Sequence, residues 1–150
     1  MKRIVKATEP DLPEWVRMGI QLWHECSETE LKATFQHILQ SERDELFLYR
    51  LDEEYAGFIH VSVRNDYVNG STSTPTGYIE GIYVKPEYRK RHIGKELVKA
   101  GESWASERGC RQIGSDVLIG NTMSYEFHRR TGFREVERVI CFIKNIAQEM

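Results

Sequence analysis

The residues Arg89-Lys90-Arg91-His92-Ile93-Gly94-Lys95 bring four cations and one glycine together just ahead of a helix-like run. Helix N-termini attract anions through their free N–H groups and their dipole, so a basic loop there suits a phosphate. The same residues would also make a solvated turn. His92 sits where a second glycine would be comfortable. It costs little there if its φ is negative and about 1–2 kcal/mol if the turn forces a left-handed conformation, and the loop's amides are expected not to need glycine at that point. Two carboxylates stand in strand-like surroundings with uncharged neighbours, Glu80 in YIEGIYV and Asp116 near the end of RQIGSDVLI. An acidic group on a core strand is uncommon without an ionic partner or a chemical task, so each is either paired or a binding group for a cation. His128, in TMSYEFHRR, could donate a proton near neutral pH or could simply pack. His24, His37 and His60 have no such context. Cys26, Cys110 and Cys141 are an odd number without CxxC or metal-like spacing, and read as reduced thiols rather than as ligands or nucleophiles. No metal site is expected.

The elements that must position these groups follow from pattern. KRIVKA alternates like a strand. Pro13 after Asp11 opens a helix that runs to about Cys26, with Trp15, Met18 and Trp23 among its apolar residues. Ser27 and Glu30 have capping-box spacing ahead of a second helix whose apolar face is Leu31, Phe35, Ile38 and Leu39. ELFLYRLDEEYAGFIHVSVR reads as a hairpin, NDYVNGSTSTPTG as a loop and GYIEGIYV as a strand. The basic loop then leads into a helix stopped at Gly109, RQIGSDVLI forms a strand, and TMSYEFHRR a helix ended by Gly132. FREVERVICFIKNI is expected to close the fold as a pair of strands. The order β-α-α-β-β-β-α-β-α-β-β is that of an α+β, or mixed α/β, fold.

A chain of 150 residues fits one domain, able to bury roughly 70% of its unfolded surface. The net charge of −2 gives no global attraction to nucleic acid or an anionic membrane, so charge acts locally here. MKRIVKATEPDLPEW has no apolar signal region and no stretch approaches transmembrane length; a cytoplasmic location is expected.

Read together, Gly81-Ile82-Tyr83-Val84, Pro86, the Arg89–Gly94 loop, Asn121 and Thr131-Gly132-Phe133 resemble the acetyl-CoA-binding core of the GNAT superfamily of N-acetyltransferases. The resemblance covers nearly the whole chain. It implies a mostly antiparallel, twisted sheet of about seven strands flanked by about four helices. It also implies that the backbone of Ile82, Tyr83 and Val84 aligns pantetheine and the acetyl carbonyl. The loop Arg89, Lys90, Arg91, His92, Ile93, Gly94 and Lys95, with Asn121, would hold coenzyme A.

The pieces NDYVNG, STP, YIEGIYV, GCRQIGSD and ERVICF narrow the likeness to aminoglycoside 6'-N-acetyltransferases, which modify antibiotics. On that resemblance Trp23, Asp66, Tyr67, Glu80, Asp116 and Glu137 line the acceptor pocket, and the protein is a homodimer. Carboxylates and an aromatic wall suit a polycationic sugar. The implied reaction is direct attack of an amine on acetyl-CoA in a ternary complex. Asp116 is the first-choice base, Glu80 the alternative, and the Val84 N–H the polariser of the carbonyl. Many relatives place an acidic tyrosine where this chain has His128. Acetylation of another amine, or a non-catalytic acyl-CoA sensor, would keep the same cofactor loop.

Overall fold

The computed structural model describes residues 3–147. A five-stranded sheet runs in the order β1 (Ile4–Lys6), β2 (Asp44–Leu51), β3 (Glu54–Arg64), β4 (Thr76–Val84) and β5 (Ile113–Gly114). The first four strands pair antiparallel and β5 pairs parallel to β4. The helices are α1 (Leu12–Leu22), α2 (Glu28–Gln40), α3 (Ile93–Glu107) and α4 (Thr122–Arg130).

Strand alternation sends side chains to two cores, one on each face of the sheet. Leu46, Leu48 and Phe58 face α1 and α2, where Trp15 stacks on Phe35 with ring centroids 4.1 Å apart. Ile59, Val61 and Ile79 face α3 through Leu97, Val98 and Trp104. The expected capping box opens α2: the Ser27 hydroxyl accepts from the Glu30 amide at 3.1 Å, and the Glu30 carboxylate accepts from the Ser27 amide at 3.2 Å. Asp11 serves the start of α1 differently from a simple cap. Its carboxylate turns back to accept from the Thr8 amide at 2.8 Å and from the Tyr55 hydroxyl at 2.6 Å.

Two expectations are corrected. RQIGSDVLI contributes only Ile113–Gly114 to the sheet, and the closing segment forms no strand among the described residues, so the sheet has five strands rather than about seven. A strand exists only where another strand's edge accepts its backbone, and alternation in sequence does not supply that edge. Here Ile140, Phe142, Ile143 and Ile146 stand exposed instead, from 79% to 97% accessible.

Candidate active site

Strand β4 opens the site. It is paired with β5 at only two positions, Gly77 with Ile113 and Tyr78 with Gly114, after which the two strands separate. On its other side β4 stays on β3 to its end, and the Lys85 amide donates to the Ala56 carbonyl at 2.8 Å. Amide directions alternate along a strand, so the N–H and C=O of Val84 point the other way, toward the open edge. The Val84 carbonyl is met there by Arg89 Nε at 2.9 Å. The Val84 N–H is left aimed into the gap between β4 and β5, where a thioester carbonyl or a pantetheine amide could take it.

The basic loop lies at the end of that gap. A short 3-10 turn, Pro86–Tyr88, leads into Arg89–Arg91, and His92 immediately precedes the 15-residue α3. Arg89, Lys90, Arg91 and Lys95 are exposed, and the first amides of α3 have no intrahelical partner. This combination of donors and charge fits a diphosphate. Of the two conformations open to His92 the structure takes the left-handed one: His92 has φ +64°, and Lys90 has φ +66°. The Cβ and carbonyl crowd there, at a cost of about 1–2 kcal/mol per residue. Gly94 is needed for a different reason. A Cβ on it would lie 2.7 Å from the Phe127 ring, so its absence lets α3 pack against α4. Asn121 caps α4, its side-chain oxygen accepting from the Ser124 amide at 3.1 Å.

Beside the gap, Glu80 is the bulged residue of β4. His60 pairs with Gly81 and Val61 with Ile79, leaving Glu80 without a partner across the ladder. Two residues on from Tyr78, it shares the face of Ser62 and Arg64, where its carboxylate accepts from Ser62 Oγ at 2.5 Å and from Arg64 at 2.8 to 3.1 Å. The Arg64 guanidinium carbon sits 3.5 Å from the centroid of the Tyr78 ring, and the Tyr78 hydroxyl donates to Asp116. Glu80 and Asp116 are thus the two ends of one network. Burial, then the hydrogen bond and charge of Asp116, push the Tyr78 hydroxyl far above its ordinary value. Burial works against the Arg64 charge, but the hydrogen bonds and charge of Glu80 outweigh it and raise its pKa.

The other predicted residues divide. Trp23 caps the end of α1, and its ring packs over Gly81, where a Cβ would lie 2.4 Å from it. It is half-buried against Phe58 and Phe35, part of the core and also next to Glu80. Tyr67 and Asp66 are exposed on the loop after β3, where the Tyr67 hydroxyl accepts from the Gly70 amide at 3.3 Å. Glu137 is exposed beside Val136, whose side chain covers Gly70, and no described contact brings it to Glu80 or Asp116.

His128 Nδ1 is 2.7 Å from the Ser124 carbonyl and its Nε2 is 2.7 Å from Ser115 Oγ. A carbonyl can only accept, so Nδ1 carries a hydrogen, and Nε2 shares a hydrogen bond with the Ser115 hydroxyl. The ring is thereby tied to Ser115, the residue just past β5 and next to Asp116 in sequence. Burial raises the Cys110 thiol, which makes it a poor nucleophile. Among the described residues no group of three or more His, Cys, Asp or Glu could hold a metal ion, and no helix is long and apolar enough to cross a membrane.

Ser62, Arg64, Tyr78 and Ser115 were not singled out by sequence. Their signal lies in pairing: Ser62 and Arg64 are two apart on β3, and Tyr78 is the β4 residue opposite Ser62, so all three share one face.

The acetyltransferase (GNAT) family model matches residues 9–133, spanning every element around this gap. The chain belongs to that family. It is 35% identical over 143 residues to the aminoglycoside N(6')-acetyltransferase type 1 of Acinetobacter baumannii, covering 95% of this chain and 98% of that one. Among solved structures it superposes with a TM-score of 0.89 and 36% identity on AAC(6')-Iy in complex with the bisubstrate analogue CoA-S-monomethyl-acetylneamine, covering 95% and 97% of the two chains. An apo aminoglycoside 6'-N-acetyltransferase, AAC(6')-IG from Acinetobacter haemolyticus, gives a TM-score of 0.93 at 32% identity, covering 98% and 100%. The family and the mixed α and β fold implied by the sequence both stand, and the enzyme is an acetyltransferase that draws on acetyl-CoA.

Proposed function

We propose that this acetyltransferase moves the acetyl group of acetyl-CoA to the 6'-amino group of aminoglycoside antibiotics, and so confers resistance to them. The observation that carries the reading is the open edge of β4. Its Val84 N–H faces the gap where a thioester would lie, and two carboxylates, Glu80 and Asp116, stand on the flank from which an amine would arrive.

Arg89, Lys90, Arg91, His92, Ile93, Gly94 and Lys95 would hold the diphosphate, and the backbone of Ile82, Tyr83 and Val84 the pantetheine. The Val84 N–H would stabilise the negative charge growing on the carbonyl oxygen during attack. An aminoglycoside ammonium must lose a proton before it can attack. Asp116 is the better candidate to take or hold that proton, because its only described partner is a neutral hydroxyl, whereas Glu80 already carries a guanidinium. Trp23 would wall the acceptor on the Glu80 side, and Tyr67, Asp66 and Glu137 would complete it from the loops. Protonated at both nitrogens, His128 would donate from Nε2 to Ser115 Oγ, whose own hydroxyl proton would pass to the leaving sulfur; Asn121 would serve the cofactor by fixing the start of α4.

We infer further that the whole chain is one acetyltransferase domain working in the cytoplasm as a homodimer. Its exposed closing segment, Val139 to Ile146, is the apolar surface such a contact would use.

Thiol release from acetyl-CoA, followed with a 6'-amino aminoglycoside beside its 6'-hydroxyl analogue, tests the reading. Turnover with the amine alone supports it. Turnover only with polyamines would reassign the acceptor, and coenzyme A binding without any turnover would leave a sensor.

A further inference from the structure

We propose that Arg64 is a built-in substitute for the substrate's ammonium, holding Glu80 until a cationic acceptor displaces it. The inference rests on the aminoglycoside reading above and names a residue that sets how strongly the acceptor site takes a cation.

The geometry of the pair points to a reversible contact. Arg64 makes three hydrogen bonds to Glu80 and lies over the Tyr78 ring, the same carboxylate-plus-aromatic setting that an alkylammonium of a sugar would seek. Yet its side chain is 40% exposed and that of Glu80 26%, so water and salt weaken the attraction. Screened exposed pairs contribute about 1 kcal/mol or less; this bidentate, half-buried one lies above that, within what an incoming ammonium making the same contacts to Glu80 would restore. Ser62 Oγ, in a buried residue, keeps its own 2.5 Å bond to Glu80 and would hold the carboxylate in place after Arg64 leaves.

There is also somewhere for the guanidinium to go. A cavity of about 270 Å³ adjoins the pair, lined by His37, Arg43, Asp44, Ser62, Arg64 and Glu80 among others. The charge balance favours exchange over simple addition. Glu80 and Arg64 cancel, and a second cation arriving without displacement would meet the guanidinium's repulsion. One carboxylate thus serves two cations in turn, the resident one keeping its negative charge matched while the site is empty.

The Arg64→Met variant keeps an apolar stem over Tyr78 and frees Glu80. Its Kd and KM for a 6'-amino aminoglycoside are expected to fall about three- to tenfold, with a steeper dependence on salt. Its kcat and its KM for acetyl-CoA should stay within about twofold of the unaltered enzyme. Arg64→Lys restores a displaceable cation and should return KM toward the starting value. A higher or unchanged KM in Arg64→Met would overturn the proposal, because Arg64 would then be positioning Glu80 for the substrate. A second measurement does not depend on the variant folding. Saturating the unaltered protein with aminoglycoside should move the NMR signal of the Arg64 Nε–H toward that of a free guanidinium. A signal unmoved at saturation, with turnover intact, sinks the proposal alone; an aminoglycoside that neither binds nor turns over removes the functional reading as well.

Discussion

Replacing His92 by glycine isolates the strain stored in the coenzyme loop. His92 has φ +64° and ψ +14°, directly before α3, and its side chain makes no capping hydrogen bond. Its ring is exposed, so the substitution removes little packing. Holding an L-residue in this left-handed conformation costs about 1–2 kcal/mol, which glycine does not incur. Glycine also gains freedom in the unfolded chain, which offsets about 0.4–1 kcal/mol of that relief. The net expectation is a gain near 0.8 kcal/mol (about 0 to 1.6), or roughly 2–3 °C in Tm for a chain of this size. His92→Ala is the control, since alanine keeps the strain while losing the same ring, and it should melt at or below the starting temperature. Because the turn is already left-handed without coenzyme A, the affinity for coenzyme A in His92→Gly should change by less than about threefold. Thermal unfolding of the three proteins side by side, with calorimetry for coenzyme A, decides the matter. If glycine melts no higher than alanine, the positive φ carries no strain and the reasoning fails.

Asp116→Asn should lower the acetylation rate by about a hundredfold or more, as loss of a general base does, while coenzyme A binding stays nearly unchanged; an unaltered rate would remove Asp116 as base and anchor. Gly94→Ala should destabilise the protein by about 1–3 kcal/mol, because its methyl would press on the Phe127 ring; chemical denaturation reads this directly. Asp44 supplies a pH prediction. Burial pushes its carboxyl up, but hydrogen bonds from Ser41 and His60 and the charge of His60 outweigh this, and its pKa lies below the ordinary 3.8. A depressed carboxylate adds stability above the ordinary value and loses it as pH falls through the folded one. Urea midpoints between about pH 6 and pH 3 should therefore fall more steeply for the natural protein than for Asp44→Asn, and equal slopes would contradict the assignment.

Local rules made much of the fold legible. The Ser27–Glu30 capping box, the hairpin around DEE and the helix between the basic loop and Gly109 depend on residues within a few positions of one another. Such contacts survive whatever the rest of the chain does. Glu80 and Asp116 were also recognisable, as carboxylates in apolar strand sequence. What they do there was not: one is matched by Arg64, sixteen residues away, and the other by Tyr78, thirty-eight residues away. The purpose of Gly94 was hidden in the same manner, since the ring it makes room for belongs to another helix.

By itself the sequence determined where the four helices begin, where the first four strands lie, and where basic and acidic groups are concentrated. These follow from periodicities of two and of 3.6 and from the capping chemistry of short side chains. Only the tertiary structure decided the backbone of His92, the separation of β5 from β4 after two pairs, and the unpaired state of the closing segment. Each depends on another element's backbone or ring being present at a particular place. A turn's φ, a ladder's end and a strand's existence are properties of two segments meeting, and neither segment carries them alone.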